Sequence, residues 1–294
     1  MEKAVYHLPG LFEFYDFYRK FLPIYREKTE YFYDWCQIGS LYGAPADCLW
    51  AGGRVSTGNA DPRQVLALTE EYGLSARLTF SNSLLRPEHL KDPKCNRLCA
   101  LFGAEPGNGV IVHSELLLDY LKEKYPNFYF VSSTTKVLTD FEDLAAETER
   151  PDFRYVVPDF RLNKAFDRLA GLKEKRKVEF LCNECCWPGC RERKECYENV
   201  SRKNLGERCP DHICAAPEGE KGYRFSAAMK NPAFIGIRDI RETYLPMGFS
   251  QFKIEGRGLG SAMLLEFILY YLTKPEYQLP LREEMYLDSM LDLF

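Results

Sequence analysis

The sequence lacks a long apolar run, a large net charge and any tract of low complexity. Its longest apolar stretch, Ala262–Leu272, is interrupted by Glu266 and is too short to cross a bilayer, so we expect no membrane span. The net charge of −4, from 39 basic and 43 acidic residues, excludes a general electrostatic attraction to nucleic acid. Binding of RNA through a local basic patch is not excluded. Because no repeat or linker divides the 294 residues, we expect one domain over residues 1–294.

Familiar hydrolytic motifs are also missing. The sequence has no phosphate-binding loop, no Ser-His-Asp set and no H-E-x-x-H metalloprotease motif. Only four histidines occur, and none pairs with another at the spacing of a metal site: His7, His89, His113 and His212. We therefore expect neither hydrolytic zinc chemistry nor proteolysis.

The first residues do not have the pattern of a secretory signal. Met1-Glu2-Lys3-Ala4-Val5 begins a strand-like pattern and not a charged head followed by an apolar run. We therefore expect a cytoplasmic protein, where thiols stay reduced and a cysteine cluster indicates metal binding or catalysis before it indicates disulfides.

What the sequence has is a regular alternation of strand and helix patterns. The predicted strands are Val5–Leu11, Trp35–Leu41, Ala76–Phe80, Gly109–His113, Phe128–Ser132, Phe153–Val157, Val178–Leu181 and Phe249–Ile254. The predicted helices are Phe12–Tyr25, Pro62–Tyr72, His89–Phe102, Glu115–Tyr125, Phe141–Glu149, Asn163–Lys173, Ala233–Leu245 and, as the last long one, Ser261–Leu272. This order favours an α/β protein with a parallel sheet.

A polar residue follows the end of most predicted strands. These residues are Asn82, His113, Ser133, Asp159, Asn183 and Glu255. In a (β/α)8 barrel all such positions converge on the face that holds the active site. We therefore predict a TIM-like (β/α)8 barrel with an irregular cysteine-bearing insertion; an open doubly wound sheet is the alternative, and each polar residue taken singly is explained as well by helix capping.

The sequence also has an unusual concentration of cysteine after the Val178–Leu181 strand. Seven of the 11 cysteines lie between Cys182 and Cys214, including a C-x2-C pair and an adjacent pair. Thiolates select zinc, copper(I) or iron–sulfur clusters. Disulfides, or buried cysteines that act as small apolar residues, are the alternatives.

The spacing of these cysteines is irregular, whereas a structural zinc ribbon uses two separated C-x2-C pairs. Four thiolates that surround an iron–sulfur cube come from several directions, which suits this irregularity better. We predict a 4Fe-4S cluster held by four ligands: Cys185, Cys186, Cys190 and Cys214. Cys209 and Cys182 are the first substitutes, and Cys196 is the weakest candidate because its surroundings predict a helix.

Charged residues near two other strand ends complete the predicted site. Lys253, Glu255 and Arg257 alternate along one strand and so share one face, where they form either a substrate-binding lumen or a buried ion-pair network. Asp159 and Arg161 follow another strand and are predicted to act at the same mouth. We expect a small carboxylate-bearing substrate, held by Lys253, Arg257 and Arg161.

These residues together resemble the collagenase-like peptidase family U32. The resemblance covers roughly Val110–Leu272, and its specific parts are the cysteine cluster and Lys253-Ile254-Glu255-Gly256-Arg257, which is similar to a strand motif of that family. The segment Cys185–Cys190 is more compressed than the family's cysteine loop. The resemblance implies a (β/α)8 barrel that binds a 4Fe-4S cluster through four cysteines, and an oxygen-independent hydroxylation of ubiquinone precursors or RNA pyrimidines.

Three functions follow as hypotheses. The first is an iron–sulfur enzyme that hydroxylates, or modifies by related redox chemistry, an aromatic or nucleobase substrate. The second is a non-catalytic cluster-bearing subunit of a heteromeric complex, with the aromatic-rich segment Phe12–Tyr33 as a partner surface, although packing within the barrel explains that segment equally well. The third is a structural zinc protein.

Overall fold

Eight short strands form the centre of the molecule. They are β1 (Ala4–Pro9), β2 (Cys36–Gly43), β3 (Ser75–Phe80), β4 (Gly109–Val112), β5 (Tyr129–Ser132), β6 (Phe153–Val156), β7 (Glu179–Leu181) and β8 (Gln251–Lys253). In the computed structural model, which describes residues 2–53, 58–217 and 222–291, they pair in parallel in the order β6-β5-β4-β3-β2-β1-β8-β7. An isolated parallel bridge between Val156 and Val178 joins the two ends of this order. The predicted (β/α)8 barrel is therefore confirmed.

The strands alternate between a face towards the helices and a face towards the lumen. In β3, Ala76, Leu78 and Phe80 belong to the main hydrophobic core between strands and helices, whereas Arg77 and Thr79 line cavities inside the barrel. A smaller apolar cluster fills the lumen itself and consists of Tyr42, Ile111, Val131, Val157 and Leu181. This period of two is the ordinary consequence of strand geometry in a closed barrel.

The helices that surround the strands are α1 (Tyr15–Glu27), α2 (Pro62–Glu71), α3 (Pro93–Phe102), α4 (Glu115–Lys124), α5 (Phe141–Glu149), α6 (Phe166–Leu169), α7 (Arg193–Asn204), α8 (Phe225–Ala228), α9 (Ile237–Asp239), α10 (Ser261–Tyr271) and α11 (Gln278–Leu291). Four of them begin where a side-chain oxygen accepts a hydrogen bond from a backbone N–H of the first turn: Asp61, Asp92, Ser114 and Asp140. Such caps satisfy N–H groups that no helical carbonyl can reach.

Every predicted strand is present, and each end lies within two residues of the predicted one. Two helix predictions were wrong over most of their extent, and a third, His89–Phe102, begins only at Pro93. The segment Asn163–Lys173 contains only the four-residue α6, because the buried Asn163 side chain donates to the carbonyls of Leu181 and Ala233 and so ties the chain to neighbouring loops. The segment Ala233–Leu245 contains α9 and a π-helical turn at Ile240–Tyr244.

Two further predictions concern the last helix and the aromatic-rich segment near the amino terminus, and the first of them was wrong. The last long helix is α11, not Ser261–Leu272. In the aromatic-rich segment Phe12–Tyr33, the side chains of Phe12, Tyr18 and Phe21 are buried in the main core. The half-buried rings of Tyr15 and Phe17 pack against that core. This favours packing within the barrel as the explanation of the segment, and its role as a partner surface stays a prediction.

The longest connection between strands runs from Leu181 to Gln251 and carries the cysteine cluster. It contains α7, α8, α9 and the π-helical turn, while residues 206–217 are neither helix nor strand. This is the irregular insertion that the sequence predicted. No helix in the described part of the chain is both long and apolar enough to span a membrane.

Candidate functional site at the carboxyl end of the barrel

A cavity of about 320 Å³ opens at the carboxyl ends of the strands. Polar, aromatic and a few aliphatic side chains from six strands or the loops after them line it: Tyr42, Thr79, Ser81, Ile111, Ser133, Thr134, Thr135, Leu181, Glu184, Cys185, Lys253, Glu255 and Arg257, with Tyr197 and Tyr223 from α7 and the later part of the insertion. In (β/α)8 barrels this face holds the active site. The cavity is therefore the candidate functional site.

Lys253, the last residue of β8, forms part of the cavity floor. Its Nζ lies 3.3 Å from Oε1 of Glu179 and 3.7 Å from the centroid of the Tyr42 ring. Burial, together with the positive charge of Arg77, lowers the pKa of Lys253 to about 8, while Glu179 opposes this change. The amine therefore loses its proton closer to neutral pH than an exposed lysine does.

Glu179 connects the cavity floor to the middle of the lumen. Oε2 of this buried carboxylate accepts a 2.5 Å hydrogen bond from Nη1 of Arg77 and lies 3.5 Å from Nε2 of His7. The cations around Glu179 lower its pKa well below the usual value, although burial alone would raise it. The carboxylate is thus charged and shared between Arg77 and Lys253.

His7 completes this buried network as a neutral imidazole. Nδ1 lies 2.8 Å from Oγ of Ser40, and Nε2 lies 3.0 Å from Oε1 of Gln251. Burial and the neighbouring Arg77 lower the pKa of His7 to about 3. Two cations and one carboxylate therefore share the lumen at neutral pH, which leaves this part of the barrel electropositive.

Arg257 and Glu255 lie beyond the end of β8 and also line the cavity. Arg257 donates from Nε to Oε1 of Glu13, at 2.7 Å, and from Nη2 to the carbonyl of Ala44. Between them, Gly256 has φ of +148°, and a Cβ there would lie 2.9 Å from the Phe267 ring. Glycine is required at this position so that the loop can turn the two charged side chains into the cavity.

Asn183 joins the loops that follow β7 and β8. Its Oδ1 accepts from the Glu255 N–H at 2.7 Å, and its Nδ2 donates to the Glu255 carbonyl at 3.1 Å. A buried amide with both groups paired to one backbone residue fixes the relative position of the two loops. Lys253, Glu255 and Arg257, which the sequence placed together, are therefore brought together around one cavity.

Asp159 and Arg161 have a different position. The buried Asp159 carboxylate accepts from Nε of Arg161 at 2.6 Å and lies 3.3 Å from Nε of Arg193, at the start of α7. Arg193 also donates to Glu184, at 2.6 Å, and Arg161 donates to the Cys190 carbonyl, at 2.8 Å. These groups attach the cysteine loop to the end of β6, and neither Asp159 nor Arg161 is among the residues that line the cavity.

The predicted ligands differ in their surroundings. Cys185 and Cys214 are exposed, Cys186 is half-buried and Cys190 is buried. The backbone N–H groups of Cys185 and Cys186 both donate to Oε1 of Glu184, so this carboxylate fixes the backbone turn that carries the two cysteines. Cys185 also lines the cavity, which places one thiol directly at the candidate site.

The segment that carries Cys214 packs along α7. Asn199 of α7 donates to the Pro210 carbonyl and, at 3.7 Å, to Sγ of Cys209, while His212 lies 3.5 Å from Glu192. The thiols match a soft metal in donor type, and the segments that carry them are neighbours in the fold. Among the described residues, however, no three His, Cys, Asp or Glu side chains are close enough together to hold a metal ion. Binding would require the cysteine loop and this segment to draw together.

Other cysteines are ordinary core residues. Cys36, Cys95, Cys99 and Cys182 are buried in the main hydrophobic core, and burial raises the pKa of the Cys36, Cys99 and Cys182 thiols. Protonated, buried thiols of this kind behave as small apolar side chains. Cys182 therefore belongs to the core beneath the cysteine loop.

The opposite end of the barrel has a cavity of about 550 Å³ that reaches His7 and Arg77 from below. Arg154 lies over the rings of Tyr129 and Tyr155 at its edge. Because residues on the amino-terminal face of such barrels usually serve stability, we place the functional site at the carboxyl end.

Several residues of the site were not predicted from the sequence: His7, Arg77 and Glu179 in the lumen, Tyr42, Tyr197 and Tyr223 around the cavity, and Arg193 behind the cysteine loop. One signal was available for the first group. Arg77 and Glu179 are the only charged residues of β3 and β7, two strands that are otherwise uncharged, and a charge in a buried strand requires a buried partner.

Comparison with known proteins supports the fold. No family model matches the chain, and no curated protein matches it either. Among solved structures, the chain is similar to the U32 peptidase Mk0906, with a TM-score of 0.55 and 14% identity, over 88% of this chain and 94% of that one. At this identity the likeness concerns the fold, and in its fold the chain resembles the U32 peptidase family.

Proposed function

We propose that this chain is an iron–sulfur barrel protein that hydroxylates an aromatic or nucleobase substrate without oxygen, or modifies it by related redox chemistry. The observation that carries the proposal is the position of Cys185, which lines the same cavity as Lys253 and Arg257. A cluster bound by the cysteine loop would lie at the mouth of a pocket that has its own charged groups.

The lining of the cavity suits a planar, negatively charged ligand. Tyr42, Ile111 and Leu181 offer apolar surface to a ring, and Lys253 and Arg257 offer positive charge to a carboxylate. The cluster would be held by Cys185, Cys186, Cys190 and Cys214. When bound, it would supply a redox centre or a Lewis acid.

Metal analysis of anaerobically purified protein tests the proposal. About four irons and four sulfides per chain are expected, with broad absorption in the visible range, as for a cubane held by four cysteines. Cys185→Ala, Cys190→Ala and Cys214→Ala should each lose the colour. Cys36→Ala, Cys48→Ala and Cys99→Ala are the controls and should keep it, because these cysteines lie outside the insertion. A colourless protein with one tightly bound zinc would contradict the proposal and favour the structural zinc hypothesis.

One observation favours the second hypothesis, a cluster-bearing subunit. Trp187 and Ile213, which neighbour the proposed ligands in sequence, expose 41% and 86% of their surface. Large apolar side chains at the surface are a feature of interaction sites when they form one patch. Turnover by the purified single chain would support the enzyme, whereas turnover only after co-expression with a second subunit would support the subunit.

A further inference from the structure

Lys253 is a buried amine that faces the cavity. The side chain is 6% exposed, and its described polar contact is the 3.3 Å approach to Glu179. A lysine that served only to neutralise Glu179 would duplicate Arg77, which already makes the shorter contact of 2.5 Å with that carboxylate. The position of the amine between a carboxylate and an open cavity is typical of lysines that react with carbonyl groups.

We propose that Lys253 forms an imine with the carbonyl carbon of an oxo acid bound in this cavity. The inference rests on the cavity being the ligand site of the proposed function, but it does not depend on which metal the cysteines hold. It goes beyond that function because it assigns a covalent step to a residue of the barrel itself.

The protonation state of the amine supports this chemistry. Because burial and Arg77 lower the pKa of Lys253 to about 8, on the order of a tenth of the molecules carry the free amine at pH 7. An exposed lysine at the same pH is almost entirely protonated. Glu179 keeps the ammonium form from being lost altogether, since it lies beside Nζ.

The cavity also offers groups for the acid part of the ligand. Arg257 lines it, and a Cβ on the neighbouring Gly53 would lie 2.4 Å from Nη1 of that arginine. The absence of a side chain at Gly53 therefore leaves room for the guanidinium at the cavity wall. Ser81 and Ser133 add hydroxyl groups from the ends of β3 and β5. An oxo acid would thus meet a cation for its carboxylate and an amine for its carbonyl.

The reaction needs no oxidant or reductant. The lone pair of Nζ attacks the carbonyl carbon and forms a C–N bond, and the carbonyl oxygen becomes the hydroxyl of a carbinolamine. Nitrogen then loses its remaining proton, the hydroxyl leaves as water, and a C=N bond joins Lys253 to the ligand. The balance is one amine and one carbonyl consumed, and one imine and one water formed.

Borohydride trapping tests this inference. The full-length protein is incubated with pyruvate or, separately, with phenylpyruvate, then reduced with sodium borohydride and analysed by intact mass and peptide sequencing. Imine formation releases one water and reduction adds two hydrogens. The expected mass increase of the peptide that contains Lys253 is therefore the mass of the acid less one oxygen atom. Lactate has a hydroxyl group in place of the keto group and should give no adduct.

Two variants separate this reaction from adventitious labelling. Lys253→Arg keeps a cation beside Glu179 and should lose the adduct, whereas Lys177→Arg, at the opposite end of the barrel, should keep it. The trapping rate should rise with pH and level off above about pH 8, while labelling of exposed lysines continues to rise. An adduct yield that is unchanged in Lys253→Arg, or no adduct with either acid in the wild-type protein, would overturn the inference.

The outcome is distinguishable from that of the metal analysis. Lys253 is not a proposed metal ligand, so the adduct should form in both metal-loaded and metal-free protein. Adduct formation without iron would reject the proposed cluster and leave the imine standing. Iron without an adduct would reject the imine alone.

Discussion

Glu179 is the carboxylate that pairs with both buried cations of the lumen. It contacts Arg77 at 2.5 Å and Lys253 at 3.3 Å, and all three side chains are buried. Glu179→Gln would leave two buried cations without their carboxylate, which should lower the free energy of unfolding by about 3–5 kcal/mol. Urea denaturation measures this change.

The matched control is Glu123→Gln, in which the same change is made on an exposed residue of α4. It should alter stability by no more than about 0.5 kcal/mol. Equal effects of the two substitutions would mean that the lumen network does not contribute to folding stability.

His113 makes stability depend on pH. Burial, with Lys136 and Lys194 nearby, lowers its pKa to about 4 from 6.5, so the folded protein keeps a neutral imidazole that the unfolded chain would protonate. The unfolded state binds the extra proton between these two values, and stability therefore falls as the pH falls through this window. His113→Gln should remove about 2 kcal/mol of the difference in unfolding free energy between pH 7 and pH 5. Denaturation at both pH values checks this, and an undiminished difference in the variant would contradict it.

At the scale of elements, Arg193 holds three parts of the chain together. From the first turn of α7 it contacts Asp159 after β6 and Glu184 in the cysteine loop. Arg193→Met would preserve much of the packing but leave two buried carboxylates short of a partner, at a cost of about 3 kcal/mol. Limited proteolysis should then cut the cysteine loop faster than in the wild-type protein. Arg191→Met, on an exposed neighbour, is the control and should leave the cleavage rate unchanged.

Helix α11 contributes to the core through one side of the helix. Leu281 is fully buried, whereas Leu279, two residues earlier, is 60% exposed. Leu281→Ala should therefore destabilise the protein by about 2–5 kcal/mol, through lost burial and the cavity left behind. Leu279→Ala should cost less than about 0.5 kcal/mol. Thermal unfolding of both variants checks the difference, and similar losses would show that the helix does not pack as described.

The helices differed from one another in how well the sequence predicted them. The helix Phe141–Glu149 was predicted to the residue, because its apolar spacing agrees with the Asp140 cap. In Asn163–Lys173, by contrast, the buried amide of Asn163 bonds to residues that are distant in sequence, and this tertiary contact overrides local helical preference. Helix α11 was missed because Pro280 and the run of charged residues after Leu281 obscure the two apolar positions that it buries, Leu281 and Met285.

Contacts between residues that are distant in sequence also limit prediction of the site. Lys253, Glu255 and Arg257 are close in sequence, which was enough to place them together. The prediction that they alternate along one strand was wrong, because β8 ends at Lys253 and the loop after it, turned at Gly256, carries Glu255 and Arg257. Arg77 and Glu179 are 102 residues apart, and Arg257 and Glu13 are 244 apart. Such pairs become neighbours only when the barrel closes, and a single sequence contains no record of that contact.

At the scale of the whole molecule, barrel closure is uneven. β1 pairs with β2 over six residues and with β8 over three, whereas β6 and β7 are joined by the isolated bridge between Val156 and Val178. Few backbone hydrogen bonds therefore hold the seam between β6 and β7. Because the cysteine loop follows β7 directly, motion at this seam would reach the candidate site.

Hydrogen exchange measured by mass spectrometry tests this expectation. Strands β4 and β6 each have four residues, but β4 pairs in register with β3 and β5, while β6 has a full partner only in β5. Amides that lack a stable partner open by local fluctuations at low free energy. Peptides that cover β6 and β7 should therefore exchange faster than the peptide that covers β4. Equal protection of β4 and β6 would show that the barrel is closed as firmly at the seam as elsewhere, and the cysteine loop would then have to move independently of it.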